Sequence, residues 1–330
     1  MREREKKQKI IAIVGPTSSG KSDLAVTLAK RIGGEIISAD SRQVYRGVDL
    51  ISGKITHAEM RRVPHHILSI ADPKKSYSTS LFVRDAKRSI MDIYSRTKVP
   101  IVVCGTGFYI DALLRGFSLP DVPPNSPLRK KLSTKTASQL FLILQKLDKR
   151  RAKTIERQNP VRIIRAIEIA KALGSVPRLS KRSAYEVLWI GLKPSDKELK
   201  TRIRARIHKR LRLGMVAEAK RLHARGLSYR RMQELGLELR HLADLLEKKV
   251  TLAEFKVKLE RDINRYAKRQ MRWFKREKDI HWFSSAPQAE RFVRRRLGIS
   301  EFSGQISQGY YVESHGQAPK LPHGITDHRK

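Results

Sequence analysis

The chain has 330 residues, enough to bury a sizeable core and to divide into two domains, or one domain carrying an insertion. Lysine and arginine number 71 against 32 aspartate and glutamate, a net charge of +39, which calls for a polyanionic partner: nucleic acid first, an anionic membrane surface second. The single cysteine, Cys104, excludes an internal disulfide and a cysteine-rich metal centre, and no run of about 18 uncharged apolar residues is present to span a membrane. The charged start MREREKKQK runs into a strand without an apolar leader, so a soluble, cytoplasmic protein is expected.

Ile10 to Val14 is a continuous apolar, β-branched run that predicts a parallel strand buried on both faces. Ser22 to Arg31 follows with helical spacing, Leu24, Leu28 and Ile32 forming its apolar stripe. Glu35 to Ser38 predicts a second short strand that ends just before Asp40. Leu81 to Tyr94 predicts a helix, and the run from Pro100 a third strand closing in the glycine turn CGTG. This alternation predicts an α/β fold with a doubly wound parallel sheet whose first part spans 1–117, and the loop GPTSSGKS between its first strand and helix makes it P-loop NTPase-like.

From Ser118 the texture changes. The proline-rich break LPDVPPNSP precedes helical segments at Ser126 to Leu147 and Asn159 to Leu173, which predicts a helical insertion over 118–185. Glu186 to Leu192 resumes the sheet, a heavily basic helical stretch follows Pro194, and Ile280 to Phe283 reads as a last short strand. Residues 186–298 thus complete the core with a basic helical C-terminal part. The segment 299–330, rich in Gly, Ser, Gln, His and Pro, is expected to be disordered.

Gly15 to Ser22, GPTSSGKS, satisfies the phosphate-loop pattern between a predicted strand and a predicted helix. Gly15 and Gly20 let the backbone curl so that its N–H groups face one anion, and the helix start adds its positive end. Lys21 supplies a point charge, and the Ser22 hydroxyl can ligand Mg²⁺ between phosphate oxygens. The motif specifies phosphate and leaves the rest of the ligand open. Asp40, at the end of the second strand, can serve as a base, hold Mg²⁺ through water, or cap the following turn. Thr106, between two glycines, can meet an incoming group with its hydroxyl or simply belong to a tight turn.

The segments GPTSSGKS, ADSRQVYRGVD, VPHHILSIADP, YSTSLF, CGTGFYIDALLRG, NPVRIIRAIEI and RYAKRQMRWF occur in this order. With them the chain, from about Ile10 to Phe283, resembles the tRNA dimethylallyltransferases, also called tRNA isopentenyltransferases. The resemblance implies transfer of a dimethylallyl group from dimethylallyl diphosphate to N6 of the adenosine immediately 3′ of the anticodon. It implies Mg²⁺ as cofactor, the tRNA anticodon stem-loop as partner, no membrane, and a monomer. Gly15, Pro16, Thr17, Ser18, Ser19, Gly20, Lys21 and Ser22 would clasp the diphosphate together with Arg129, with the metal at Ser22. Catalysis would fall to Asp40, Thr106 and Lys21, Asp40 taking the amine proton or aligning the amine. Asp40, Ser41, Arg42, Gln43, Thr106, Arg162, Arg165, Lys268, Arg269 and Gln270 would touch the tRNA, and the insertion would grip the anticodon stem-loop.

The chain departs from the family pattern in places. Cys104 stands in the first position of the usual G-G-T-G, where a buried packing thiol is a simpler reading than a redox group. The family's D-I-G-T-A-K-P reads DLISGKI, so Ile51 would be strained if its position requires a positive φ, or the loop differs. His65 and His66 match the family yet serve equally as packing residues, and MQELGLELR carries leucine where A-I-G-Y-K has tyrosine. Two other readings stand beside the transferase: a nucleotide or nucleoside kinase of the same fold, and a basic RNA-binding protein without activity.

Overall fold

A computed structural model describes residues 7–117, 119–178 and 183–299. The predicted tail falls almost wholly outside the described residues.

The first strand, β1 (Gln8–Val14), is shielded from water from Ile10 onward, as its unbroken apolar run demands. It is followed by α1 (Lys21–Ile32), β2 (Gly34–Ala39), α2 (His57–Met60), β3 (His65–His66), α3 (Thr79–Ser95), β4 (Val99–Cys104) and α4 (Gly107–Leu114). After a helical excursion the chain returns as β5 (Tyr185–Leu192), and it closes the sheet with β6 (His281–Phe283). The six strands are parallel, in the order β3-β2-β4-β1-β5-β6. The chain steps away from β1 toward β2 and later crosses to β5 on its other side. The crevice at the carboxyl ends of β1 and β4 is therefore the topological switch point, where doubly wound sheets bind ligands.

The two-residue β3 was not predicted. His65 and His66 pair through their backbone with Ile36 and Ile37. The His66 Nε2 lies 2.7 Å from Glu35, and the His65 Nδ1 lies 2.8 Å from the Val63 carbonyl. Both rings are thus partly buried and hydrogen-bonded, and among the described residues no cluster of three or more His, Cys, Asp or Glu is placed to hold a metal.

The excursion comprises α5 (Ser126–Ser133), α6 (Ala137–Leu147), α7 (Lys149–Thr154) and α8 (Pro160–Leu173). The single helix predicted over 126–147 is in fact two, because Thr136 and Gln139 form a capping box that starts α6 afresh. These helices bury their own cluster, centred on Leu140, Leu144, Ile163 and Ile167.

The basic part forms α9 (Asp196–Arg212), α10 (Met215–Ala224), α11 (Tyr229–Leu235), α12 (Leu237–Leu246), α13 (Leu252–Phe274) and, after β6, α14 (Ala286–Leu297). One face of the sheet packs against α3, α4 and α9 to α13, the other against α1 and α14. Among the described residues no helix is long and apolar enough to cross a membrane.

Candidate active site

The loop between β1 and α1 curls as its glycines allow. Gly15 has φ 146°, and a Cβ there would meet the Leu192 carbonyl at 2.5 Å, so only glycine fits. Ser18 and Gly20 also take positive φ, and α1 begins directly at Lys21 without a side-chain cap, leaving its first N–H groups free for an anion. The Lys21 ammonium donates to the Pro16 carbonyl at 2.6 Å, bridging the loop from inside. Burial, and then the nearby Arg206 guanidinium, pull its pKa down to about 8. Ser19 is buried, its hydroxyl without a hydrogen-bond partner, while Ser22 stands exposed on the first turn of α1.

Asp40 both caps and faces the site. Its Oδ1 accepts from the Arg42 N–H at 2.8 Å and the Gln43 N–H at 3.4 Å, shaping the turn after β2. Its Oδ2 points to Gly105, 3.6 Å from where a Cβ would stand. Thr106 joins it from β4, its hydroxyl accepting from the Ser41 N–H at 3.3 Å and lying 3.4 Å from the Ser41 hydroxyl. Lys21, Asp40, Ser41 and Thr106, from three separate strand ends, share one crevice. Cys104 lies buried beside them, its thiol turned to the carbonyls of Ala39 and Thr106. Burial pushes that thiol well above its ordinary range, so it is a packing group.

Gln270, expected to touch the tRNA, is buried. It is 6 % exposed, its Oε1 accepting from the Thr17 N–H at 2.8 Å and its Nε2 donating to the Gly105 carbonyl at 2.6 Å. One amide on α13 thereby ties the phosphate loop to the β4 loop. Trp273, one turn on, packs against Gly107, where any Cβ would clash with the indole ring, and donates to Asp111 at 2.9 Å. Lys268 and Arg269 do lie exposed on the same helix.

Sequence reasoning missed three arginines of α9. Arg202 donates to the Ser19 carbonyl at 3.3 Å. Arg206 reaches the Thr17 hydroxyl at 3.5 Å and the Gly53 carbonyl at 2.6 Å, and Arg210 holds the Ile51 carbonyl at 2.9 Å. Their spacing of four puts them on one helix face, a signal legible in DKELKTRIRARIHKRLR. Arg210, with Glu218 accepting from the Leu50 and Ile51 N–H groups, fixes the altered DLISGKI loop. Ile51 is buried with an ordinary φ, and the left-handed conformation falls on Gly53. The loop differs and Ile51 is unstrained.

Arg129, expected at the diphosphate, is committed elsewhere. It grips Glu168 of α8 through two nitrogens at 2.8 and 3.0 Å, and Arg165 pairs with the same carboxylate. Burial pushes the Glu168 carboxyl up, but hydrogen bonds from Arg129, the Asn125 N–H and Arg165 outweigh it and bring the pKa down to about 2. This triad locks α5 to α8. Arg162 is more open, paired among the described residues with the exposed Glu156 at 3.0 Å. The Arg42 side chain lies on Gly236 between α11 and α12, and Gln43 is held by the Ser38 hydroxyl at 3.3 Å.

The family model IPP transferase matches residues 43–277, and the model Isopentenyl transferase matches residues 8–69. The chain belongs to the IPP transferase family. It is 41 % identical over 290 residues to tRNA dimethylallyltransferase 1 of Citrifermentans bemidjiense, covering 86 % of this chain and 94 % of that one. With the tRNA dimethylallyltransferase of Thermomicrobium roseum it shares 39 % identity over 285 residues, 84 % of this chain and 87 % of that one. The crystal structure of the tRNA isopentenylpyrophosphate transferase of Bacillus halodurans superposes with a TM-score of 0.67 at 35 % identity, over 89 % of this chain and 97 % of that chain. Within this family the described fold is the P-loop-like α/β core, and the crevice at its switch point is the candidate site.

Proposed function

We propose that this chain is a tRNA dimethylallyltransferase. It transfers the dimethylallyl group of dimethylallyl diphosphate to N6 of the adenosine immediately 3′ of the anticodon, giving N6-dimethylallyladenosine. The observation that carries this reading is the convergence of Lys21, Asp40 and Thr106 on one crevice in a chain of the IPP transferase family. The kinase reading finds no support in relatives named for dimethylallyl transfer.

In the reaction the allylic C–O bond breaks and its electron pair leaves with the diphosphate. The N6 lone pair forms the new C–N bond, and the amine proton passes to Asp40 Oδ2, the oxygen not used in capping. Lys21, the loop N–H groups and the start of α1 meet the charge growing on the leaving group. The allylic carbon tolerates developing positive charge, so positioning and exclusion of water supply the rest. The orphaned Ser19 hydroxyl and the guanidinium of Arg206 suit an anion of this size. The exposed Ser22 hydroxyl fits a divalent cation, which we take to be Mg²⁺, and that cation would neutralise charge on the diphosphate.

The adenine leaves its stack to enter the crevice. Thr106 and Ser41 align its amine, and Arg42, Lys268 and Arg269 hold the RNA backbone around it. The insertion, 118–185, grips the anticodon stem-loop with Arg162, while Arg129 and Arg165 keep that insertion in shape. The protein works as a monomer in the cytoplasm, where its substrate is found. Incubation with dimethylallyl diphosphate, Mg²⁺ and an anticodon stem-loop, followed by nucleoside mass analysis, tests the reading. An adenosine heavier by one isoprenoid unit is expected; unchanged RNA beside ATP-dependent phosphorylation of a nucleoside or nucleotide would overturn it.

A further inference from the structure

Phe108 and Tyr109 are adjacent aromatic residues on the first turn of α4, and the fold treats them oppositely. Tyr109 is buried and stacks on Phe82 with ring centroids 4.2 Å apart. Phe108 is 39 % exposed, two residues beyond Thr106. A large aromatic left open beside a reaction crevice calls for something to cover it.

Its surroundings say what. Phe108 shares a face of α4 with Asp111, one turn on. Asp111 accepts from the Trp273 indole at 2.9 Å, and that indole also packs on Gly107. The position next to Phe108 is thus taken by half-buried Trp273, with the Arg276 guanidinium 5.4 Å from its ring centroid. Arg269, Arg272 and Arg276 stand exposed along this stretch of α13 and its end. Open aromatic surface rimmed by guanidinium groups is the chemistry that receives unstacked bases and their phosphates.

We infer that Phe108 is the platform on which the base beside the reacting adenosine stacks once that adenosine has flipped into the crevice. The inference rests on the tRNA reading above. Flipping the adenosine strips its neighbour of a stacking face, and the Phe108 ring restores one at the mouth of the crevice. Phe108 is a positioning residue: it touches RNA and leaves bond making to Asp40 and Thr106. A dimethylallyl tail, by contrast, calls for an enclosed apolar pocket, which an open ring at the rim does not provide.

The test uses the full chain, dimethylallyl diphosphate and an anticodon stem-loop carrying 2-aminopurine immediately 3′ of the reacting adenosine. Phe108→Ala is expected to raise the KM for the stem-loop about 5- to 150-fold, the range for loss of one stacked base. It should also weaken the fluorescence quenching seen on binding and leave the KM for dimethylallyl diphosphate unchanged. Phe108→Tyr and Phe108→Trp should restore both RNA readouts, which a merely structural defect would not allow. Stem-loop KM and quenching unchanged in Phe108→Ala, or a change confined to the KM for dimethylallyl diphosphate, would overturn the inference. A wild-type protein that quenches the probe through Phe108 yet transfers no isoprenoid group would leave this platform standing and sink the transferase reading instead.

Discussion

The Thr17 N–H donates to the Gln270 Oε1 at 2.8 Å across 253 residues of sequence, and the same side chain donates to the Gly105 carbonyl at 2.6 Å. The phosphate loop is therefore tied to a residue of the basic C-terminal part, on the helix whose neighbouring Lys268 and Arg269 are exposed. Phosphate loop, β4 loop and basic helix α13 are thereby joined through one side chain.

Gln270→Glu keeps an acceptor for Thr17 but sets a carboxylate against the Gly105 carbonyl and beside the diphosphate. We expect kcat/KM for dimethylallyl diphosphate to fall at least about tenfold, with thermal stability lowered by the cost of a buried unpaired group, about 1–3 kcal/mol. Steady-state kinetics and a melting curve measure both. Unchanged kinetics would mean that the staple is incidental.

Asp40→Asn retains an oxygen to cap the 41–43 turn but cannot take a proton. Folding should be intact and single-turnover transfer slowed by about 10²–10⁴-fold. Asp40→Ala should lose the cap as well, at about 0.5–2 kcal/mol. Near-normal turnover in the asparagine variant would reduce Asp40 to its capping role.

The pH profile should report Lys21. Its folded pKa of about 8 lies below the ordinary 10.5, so the free enzyme loses this charge as pH rises through about 8. The kcat/KM for dimethylallyl diphosphate should then fall on the alkaline side with loss of one proton. Folding stability has the opposite sign: between about 8 and 10.5 the unfolded chain binds the extra proton, so this group's contribution rises with pH. Arg206→Gln removes a like charge, and should move the alkaline limb to higher pH while lowering kcat/KM at neutral pH. A limb that stays in place would separate Arg206 from Lys21.

Much of this was legible in the sequence. Local motifs announce backbone requirements, so the phosphate loop is legible in GPTSSGKS, whereas the roles of Asp40 and Thr106 come from the family resemblance, their local sequence being equally that of a cap and a tight turn. The unbroken apolar run of β1 gave away a strand buried on both faces. What escaped depends on partners distant in the chain. Gln270 falls on the inward stripe of α13, three residues after Ala267 and four before Phe274, but that spacing does not say which distant loops its amide will join. Arg129 matched a phosphate-binding position, yet Glu168, 39 residues away, claims it. A two-residue strand such as β3 has no period to detect. The capping box at Thr136 and the four-residue spacing of Arg202, Arg206 and Arg210 are, by contrast, visible in the sequence itself.

Binding of tRNA should weaken steeply with salt. For about five or six contacted phosphates the slope of log K against log salt is roughly −4 to −5. Arg162→Ala should flatten that slope without changing stability, because among the described residues its side chain pairs with an exposed glutamate. Arg165→Ala should also lower the melting temperature, since it unbalances buried Glu168. Equal stability losses from both variants would contradict this division of labour.

The central claim is that Lys21, Asp40 and Thr106 form one prenyl-transfer site. Rapid-quench transfer from labelled dimethylallyl diphosphate to an anticodon stem-loop, run side by side for wild type, Lys21→Ala and Asp40→Asn, tests it most directly. The account predicts label on the adenosine N6 with wild type and its near-complete loss in both variants, while RNA affinity at low salt is kept. Label transferred at similar rates by all three proteins would contradict it.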